Sequence, residues 1–179
     1  MAIKPKKNDK KITTDKESSS VLNSVISDLQ TEKGYAVFAV GNEFYCIDLD
    51  TIFEILHDFA IVPVSHLPKY FEGVINLRGE SIPVVNLKNL LNISSAITNF
   101  QVCIVITSGG EKTGFLVDSD IEIIKSSECQ SFALPDCFNA EEQKFLDGII
   151  EYKGRLIGII KLNQALKTLT EWRLKNENK

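Results

Sequence analysis

The chain has 179 residues, of which 44% are hydrophobic and 25% are charged, and its formal net charge at pH 7 is −4. This length suits one domain or two small subdomains, and the apolar content is sufficient for a packed core. The negative charge argues against nucleic acid as a partner, because a nucleic-acid-binding protein normally presents a basic face.

The first 33 residues differ in character from the rest of the chain. Residues 1–17 are rich in lysine and almost free of apolar groups, so we expect a flexible basic tail there. From Ser18 to Gln30, apolar residues recur at helical spacing after a serine run, which predicts a short amphipathic helix. This helix would either dock on the body of the protein or bind a partner. We see neither a signal peptide nor a membrane span, so we expect a cytoplasmic protein without membrane insertion.

From Gly34 onward the sequence is typical of β-structure. Short runs rich in Val, Ile and Phe are separated by turn signals such as those at 78–79, 109–110 and 153–154. Many short strands with closely spaced turns predict barrels or a sandwich. A last helix is expected from about Asn163, and residues 171–179 should form a polar tail.

An internal repeat is the most informative feature of the chain. The segment FEGVINLRGESIPVVNLKNLL, which begins at Phe71, aligns with LDGIIEYKGRLIGIIKLNQAL, which begins at Leu146, at an offset of 75 residues (146 − 71). Each copy predicts a strand, a tight turn with glycine at positive φ, a second strand and the start of a helix. A looser match pairs the apolar–Asp steps at 47–48 and 117–118. We therefore predict two copies of one small β unit, with a groove between them for a ligand or partner.

Signals for catalysis and metal binding are weak. The sequence has no GxSxG, P-loop, HExxH or GxGxxG motif, and the acidic residues Asp48, Asp118, Asp120 and Glu122 lack the spacing of a calcium-binding loop. Its four cysteines form no CxxC pair, and neither histidine lies at ligand spacing from a cysteine, which favours buried thiols over a metal site. We therefore predict a protein that is not an enzyme and that uses no cofactor.

One segment, GVINLRGESIPVVNL from Gly73 to Leu87, places an arginine in a turn between two apolar strands. Such an arginine is either simply solvated or held on a rigid hairpin, where its guanidinium can pair with a partner's carboxylate. Glu54 and Glu80 are the acidic residues expected to orient Arg78.

In their order along the chain, these motifs resemble those of the CheW family, and the similarity runs from roughly Tyr35 to Leu169. The matching motifs are the Val-Gly turn at 40–41, YCID at 45–48, IFEI at 52–55, VP and LP at 62–63 and 67–68, GVINLRG with the following IPVVNL, the VD pair at 117–118 and the LDG step at 146–148. Two residues depart from the family pattern: Cys46 replaces the glycine of a YGID motif, and Asn86 replaces the aspartate of an IDL step.

The resemblance implies a mainly β fold with two SH3-like five-stranded β-barrels in one CheW-like domain, residues 34–170, which agrees with the internal repeat. It also implies a non-catalytic adaptor that couples methyl-accepting chemoreceptors to the regulatory domain of the histidine kinase CheA in membrane-associated arrays. Carried over by position, the coupling residues are Ile52, Glu54, Gly73, Asn76, Arg78, Gly79 and Glu80.

Two alternatives remain open within these expectations. The chain could serve another chemosensory pathway, such as pilus-based motility, or it could be a small β-barrel protein that binds a small molecule. Because adaptors bind partners through exposed apolar rims, we expect an apolar surface patch near Ile52 or Ile82.

Overall fold

The computed structural model describes residues 33–65, 67–93, 102–136 and 140–167. The helix expected between Ser18 and Gln30 and the tail expected at 171–179 lie outside these residues. Eleven strands are described: β1 (Gly34–Val40), β2 (Glu43–Asp48), β3 (Ile52–Leu56), β4 (Phe71–Leu77), β5 (Glu80–Asn86), β6 (Val102–Ser108), β7 (Glu111–Val117), β8 (Glu122–Lys125), β9 (Gln130–Phe132), β10 (Leu146–Tyr152) and β11 (Arg155–Ile160). Short helices cover Leu87–Leu90, Ala140–Phe145 and 162–167.

The strands form two sheets, which we call subdomains A and B. Subdomain A has the strand order β8-β1-β2-β11-β10-β9, and subdomain B has the order β3-β6-β7-β5-β4. The predicted mainly β fold with two five-stranded units is therefore confirmed, with β9 added at the edge of subdomain A. The sequence analysis did not predict β9, because Gln130–Phe132 is short and its three residues are all exposed. Within the described ranges, no helix has the length and apolar character needed to cross a membrane.

The two sequence copies exchange their first hairpins. Subdomain A combines β1 and β2 from the first copy with β8, β10 and β11 from the second copy. Subdomain B combines β6 and β7 from the second copy with β3, β4 and β5 from the first copy. In each subdomain the exchanged hairpin joins the other copy through a parallel pair, β2 with β11 and β7 with β5. The duplication is confirmed, but each subdomain contains strands from both halves of the chain.

The β4–β5 and β10–β11 hairpins have the same local structure. Arg78 and Gly79 have φ angles of 53° and 88°, and Lys153 and Gly154 have φ angles of 52° and 77°. Two consecutive residues at positive φ in a two-residue loop form a type I′ turn, whose twist matches that of the flanking strands. Both hairpins also carry a β-bulge at the position of the first glycine, Gly73 in one copy and its equivalent in the other. The predicted equivalence of the two turns is therefore confirmed.

The looser sequence match, which paired residues 47–48 with 117–118, was misaligned by two residues. The β1–β2 turn occupies 41–42 and the β6–β7 turn occupies 109–110, so the structural offset is 68 residues (109 − 41). The structural equivalent of Asp118 is therefore Asp50 and not Asp48. The final helix also starts slightly earlier than expected, because the N–H groups of Gln164 and Ala165 donate to the carbonyl of Lys161 at 3.0 and 3.1 Å.

Three apolar clusters hold the described residues together. One lies inside subdomain A around Cys46 and Ile157, and a second lies inside subdomain B around Ile82 and Cys103. The third and largest cluster packs the two sheets against each other and includes Phe38, Tyr45, Ile47, Ile104 and Phe115. Strands β1 and β6 contribute alternate residues to a subdomain interior and to this joint core. Burial on both faces explains why their sequences are almost continuously apolar.

Candidate partner-binding surface

The tip of the β4–β5 hairpin holds the arginine singled out from the sequence. Arg78 Nη2 lies 3.1 Å from Glu54 Oε1 and 3.0 Å from Glu54 Oε2. Glu54 lies on β3 and Arg78 follows β4, and these strands are the two opposite edges of subdomain B. The contact therefore shows that the sheet curls until its edges approach each other. Of the two acidic residues expected to orient Arg78, Glu54 is the one that contacts it.

This ion pair restrains the guanidinium without burying it. The side chain of Arg78 is 72% exposed, and that of Glu54 is 17% exposed. Pairs with this degree of exposure contribute only about 0–1 kcal/mol to stability. Both contacts to Glu54 are made by Nη2, and within the described residues no contact of Nε or Nη1 is recorded. The remaining N–H groups of the exposed guanidinium can donate to a second carboxylate in a planar two-donor contact.

A second ion pair lies beside the first. The Nζ of Lys112 on β7 donates to Glu80 Oε2 at the start of β5. The same Nζ lies 4.4 Å from the centroid of the Phe53 ring, which is a cation–π arrangement. Phe53 is 43% exposed, so part of its apolar surface stays available next to the charged groups. The surface thus combines Glu54, Arg78, Glu80, Lys112 and Phe53, and we call these five residues the β3–hairpin surface.

Ile52 and Gly73, two of the predicted coupling residues, are buried. Ile52 belongs to the joint core, where it pairs with Ile106 of β6. Gly73 lies at the β4 bulge with φ of 145°, and a Cβ there would lie 2.2 Å from the carbonyl oxygen of Val62. Both residues are buried, so neither offers a side chain to a partner in this structure. Ile82 is buried too, and Phe53 is the exposed apolar side chain next to Ile52.

Asn76 and Gly79, also predicted from the resemblance, shape the turn. The N–H of Gly79 donates to Asn76 Oδ1 at 3.0 Å, and Gly79 takes the second positive-φ position of the turn. The other hairpin repeats this bond, with the N–H of Gly154 donating to Glu151 Oε1 at 2.8 Å. These contacts fix the direction in which the residue at the tip projects.

The two departures from the family pattern have structural explanations. Cys46 is fully buried inside subdomain A, so its side chain does not alter the outer surface of β2. Asn86 accepts from the N–H of Asn89 and thereby caps the one-turn helix, while its Nδ2 donates to Glu72 Oε1 at 2.8 Å. An aspartate at position 86 could not donate to Glu72, because an ionised carboxylate only accepts.

The corresponding surface of subdomain A has different chemistry. Glu122 on β8 pairs with Val37, which lies three residues before the end of β1 (40 − 37). Glu54 on β3 pairs with Val105, which lies three residues before the end of β6 (108 − 105). The two glutamates are therefore equivalent. However, Glu122 is paired with Arg155 on β11 and not with the residue at the hairpin tip. The tip residue of that hairpin, Lys153, lies over the Tyr152 ring at 4.6 Å.

The sequence analysis missed Lys112 and Phe53. Lys112 is 32 residues from Glu80 along the chain, and no local pattern signals their contact. Phe53 could have been recognised from its position between Ile52 and Glu54 only if the face of β3 that turns toward the core had been known.

The acidic residues considered as a metal site do not lie together. Asp118 is paired with Lys88, Asp120 lies 3.5 Å from His57, and Glu122 is paired with Arg155. Partial burial, followed by the neighbouring carboxylates of Asp50 and Asp147, raises the pKa of Asp48. Among the described residues, no three His, Cys, Asp or Glu side chains are grouped as metal ligands would be.

The chain is similar to proteins of one family over nearly all of the residues that the structure describes. The family model for the CheW-like domain matches residues 34–170. The chemotaxis protein CheW of Thermotoga maritima is 31% identical over 135 residues, covering 74% of this chain and 87% of that protein. The chemotaxis protein CheW of Rhizobium meliloti is 29% identical over 129 residues, covering 72% and 83%. The crystal structure of the scaffolding protein TtCheW from Thermoanaerobacter tengcongensis matches with a TM-score of 0.61 and 28% identity, covering 73% of this chain and 89% of that chain. The chain therefore belongs to the CheW family.

Proposed function

We propose that this protein is a non-catalytic chemotaxis adaptor that couples methyl-accepting chemoreceptors to the histidine kinase CheA in membrane-associated arrays. The match of the CheW-like domain to residues 34–170 carries this proposal, because it spans both subdomains. The named relatives are chemotaxis proteins, and the matching crystal structure is that of a scaffolding protein. The alternative of a small-molecule-binding barrel has no comparable support.

In this proposal the β3–hairpin surface is the contact for a receptor or kinase. The exposed guanidinium of Arg78 would donate to a partner carboxylate, while its contacts with Glu54 restrain it. The exposed part of Phe53 supplies apolar area next to these charges. Arginine and aromatic side chains of this kind are enriched among the residues that dominate binding energy at protein interfaces.

The backbone conformation of the tip does not itself favour an arginine at position 78. A non-glycine residue at φ of 53° costs roughly 1–2 kcal/mol, and glycine or asparagine would adopt this conformation more easily. The exposed pair with Glu54 returns at most about 1 kcal/mol of that cost. Folding alone therefore does not favour arginine at this position.

The test is a titration of a receptor cytoplasmic fragment and of CheA against Arg78→Ala, Arg78→Lys and Arg78→Asn. We expect Arg78→Ala and Arg78→Asn to weaken binding of at least one partner by tenfold or more, which is about 1.4 kcal/mol. Lysine should restore binding only in part, because an ammonium cannot make a planar two-donor contact. Asparagine should retain or raise the melting temperature, since it suits the turn conformation.

Lys153→Ala is the matched control, because Lys153 occupies the same turn position in the other hairpin with φ of 52°. It should change stability as Arg78→Ala does and leave binding at the β3–hairpin surface unchanged. Unaltered affinity of all three Arg78 variants for both partners, with the fold intact, would refute the assignment of this surface. Failure of the wild-type chain to bind any receptor fragment or CheA would refute the proposed function itself. Identifying which receptors and kinase copurify would separate chemotaxis from another chemosensory pathway.

A further inference from the structure

A buried ion pair lies where the chain crosses from subdomain B to subdomain A. Asp118 is the first residue after β7, and β8 of the other sheet begins four residues later (122 − 118). Its carboxylate Oδ2 lies 3.0 Å from the Nζ of Lys88. The two side chains are only 4% and 8% exposed. Lys88 belongs to the short helix that follows β5, so it is part of subdomain B.

Asp118 also contacts the β1–β2 hairpin of subdomain A. Its Oδ2 accepts from the N–H of Gly41 at 2.7 Å, and its own N–H donates to the carbonyl of Ala39 at 3.0 Å. The next residue continues this contact, because Ser119 Oγ accepts from the N–H of Ala39 at 2.9 Å. One carboxylate oxygen therefore holds an ammonium of subdomain B and a turn amide of subdomain A.

The apolar contacts between the subdomains cannot define their angle as closely as these bonds do. Hydrophobic attraction is non-directional and depends on the apolar area removed from water. Hydrogen bonds and ion pairs need particular distances and angles. The contact is also one-sided, because Asp50 and Asn163, the equivalents of Asp118 and Lys88 in the repeat, are both exposed. The buried ion pair thus lies at the crossing from β7 to β8, whereas the equivalent residues Asp50 and Asn163 are exposed.

A contribution to stability does not account for this pair. A buried ion pair is often no more stabilising than apolar residues of similar size, because both charges lose their hydration. Asp118 Oδ1 is also buried without a hydrogen-bond partner among the described residues, which adds a desolvation cost. What such a pair can supply is a preference for one arrangement over others.

We infer that Lys88 and Asp118 form an orientation clamp, a buried ion pair that selects one angle between subdomains A and B. The clamp acts through the hairpin tip at Gly41 and the crossing segment at Asp118, and it leaves the interiors of the two subdomains unaffected. The inference concerns the angle between the subdomains and does not depend on the proposed function.

The test compares two double variants of the full chain by distance measurements between spin labels. Lys88→Met with Asp118→Asn removes both charges and keeps an oxygen to accept from Gly41. Lys161→Met with Asp147→Asn is the matched control, because this pair of the same residue types, 3.4 Å apart, lies within subdomain A and is partly exposed. Each variant removes both charges of its pair, because a single buried charge without its partner would destabilise the fold whatever the angle between the subdomains.

The labels are placed on two exposed positions, Thr107→Cys in subdomain B and Ser127→Cys in subdomain A. The background carries Cys129→Ser and Cys137→Ser. The remaining thiols of Cys46 and Cys103 are buried, and burial raises the pKa of both, so they should not react with a thiol-specific spin label in the folded protein.

We expect the clamp double variant to fold with a cooperative melting transition while its distance distribution between the labels broadens or shifts. The control double variant should retain the wild-type distribution. A clamp variant that folds and gives the wild-type distribution would overturn the inference, because the apolar joint core would then suffice to define the angle. If the clamp double variant does not fold, Asp118→Glu is measured in its place, since it keeps the charges and displaces the carboxylate. An unchanged distribution in that variant would equally overturn the inference.

Discussion

Replacing Gly73 with alanine is expected to separate the structural role of this residue from any role in partner binding. A Cβ at Gly73 would lie 2.2 Å from the carbonyl oxygen of Val62 and 2.9 Å from Ile61 Cγ2. To admit it, the segment around Val62 must move away from β4. That movement would break the two bonds between Val62 and Val74, in which each N–H donates to the other carbonyl at 2.8 and 2.9 Å.

The magnitude follows from two contributions. Alanine at φ of 145° carries backbone strain of about 1–3 kcal/mol. Loss of the two hydrogen bonds adds roughly 0.5–1.5 kcal/mol each. Together they predict that Gly73→Ala lowers the free energy of unfolding by about 2–6 kcal/mol. This is a large fraction of the total stability of a typical domain.

Urea denaturation followed by far-ultraviolet circular dichroism measures the change, with Gly79→Ala as the control. Gly79 also has positive φ, but a Cβ there would meet nothing within 4 Å. Its replacement should therefore cost only the backbone strain, about 1–2 kcal/mol. If Gly73→Ala loses no more stability than Gly79→Ala, the argument from the close approach of Val62 is wrong. Since Gly73 is buried, any loss of partner binding in Gly73→Ala should match the loss of folded protein.

Three further predictions concern the titrating and charged groups. Burial raises the pKa of Cys103 from 9.0 to about 12, so the folded state holds the thiol proton more tightly and the free energy of unfolding should fall as pH rises through this range. The free energy of unfolding of Cys103→Ala should fall less steeply with pH than that of the wild type, as measured by urea denaturation at a series of pH values. Identical slopes would contradict this prediction. Burial, followed by the carboxylates of Asp50 and Asp147, raises the pKa of Asp48 above 3.8. The stabilising contribution of the Asp48 proton is therefore complete below pH 3.8 and is lost as the pH rises through the pKa of the folded state. Asp48→Asn should therefore raise the melting temperature at neutral pH and not at about pH 3, and an equal gain at both pH values would count against this cause. Glu80→Gln should change the free energy of unfolding by less than about 1 kcal/mol in the same denaturation assay, since its ion pair is exposed, and a larger loss would show that the pair is structural.

Much of the local structure could be predicted from the sequence. The apolar runs predicted most of the strands, and the residue pairs at 78–79 and 153–154 predicted two equivalent turns, because a type I′ turn needs residues that tolerate positive φ. Even the pairing of Arg78 with Glu54 was among the predicted contacts.

The sequence was less informative about the faces of the strands. Ile52 lies in the same family motif as Glu54, and Gly73 lies in the same motif as Arg78. The structure nevertheless buries Ile52 and Gly73 and exposes part of Phe53. Strand β3 has a bulge between Ile52 and Glu54, which changes the simple alternation of its side chains. A motif therefore identifies a segment, and only the register of that segment decides which of its residues reach the surface.

By itself, the sequence determined the class of fold, the duplication, the family and the hairpin that presents Arg78, since each follows from the order and repetition of motifs along the chain. Tertiary structure alone decided that the copies exchange their first hairpins, that Lys112 joins Glu80 and Phe53, and that Asp118 reaches both Lys88 and Gly41. These contacts join residues distant in the chain, and they form only when the two sheets pack on a common core. Apolar periodicity predicts that such a core exists, but because hydrophobic attraction is non-directional it does not specify which strands share it.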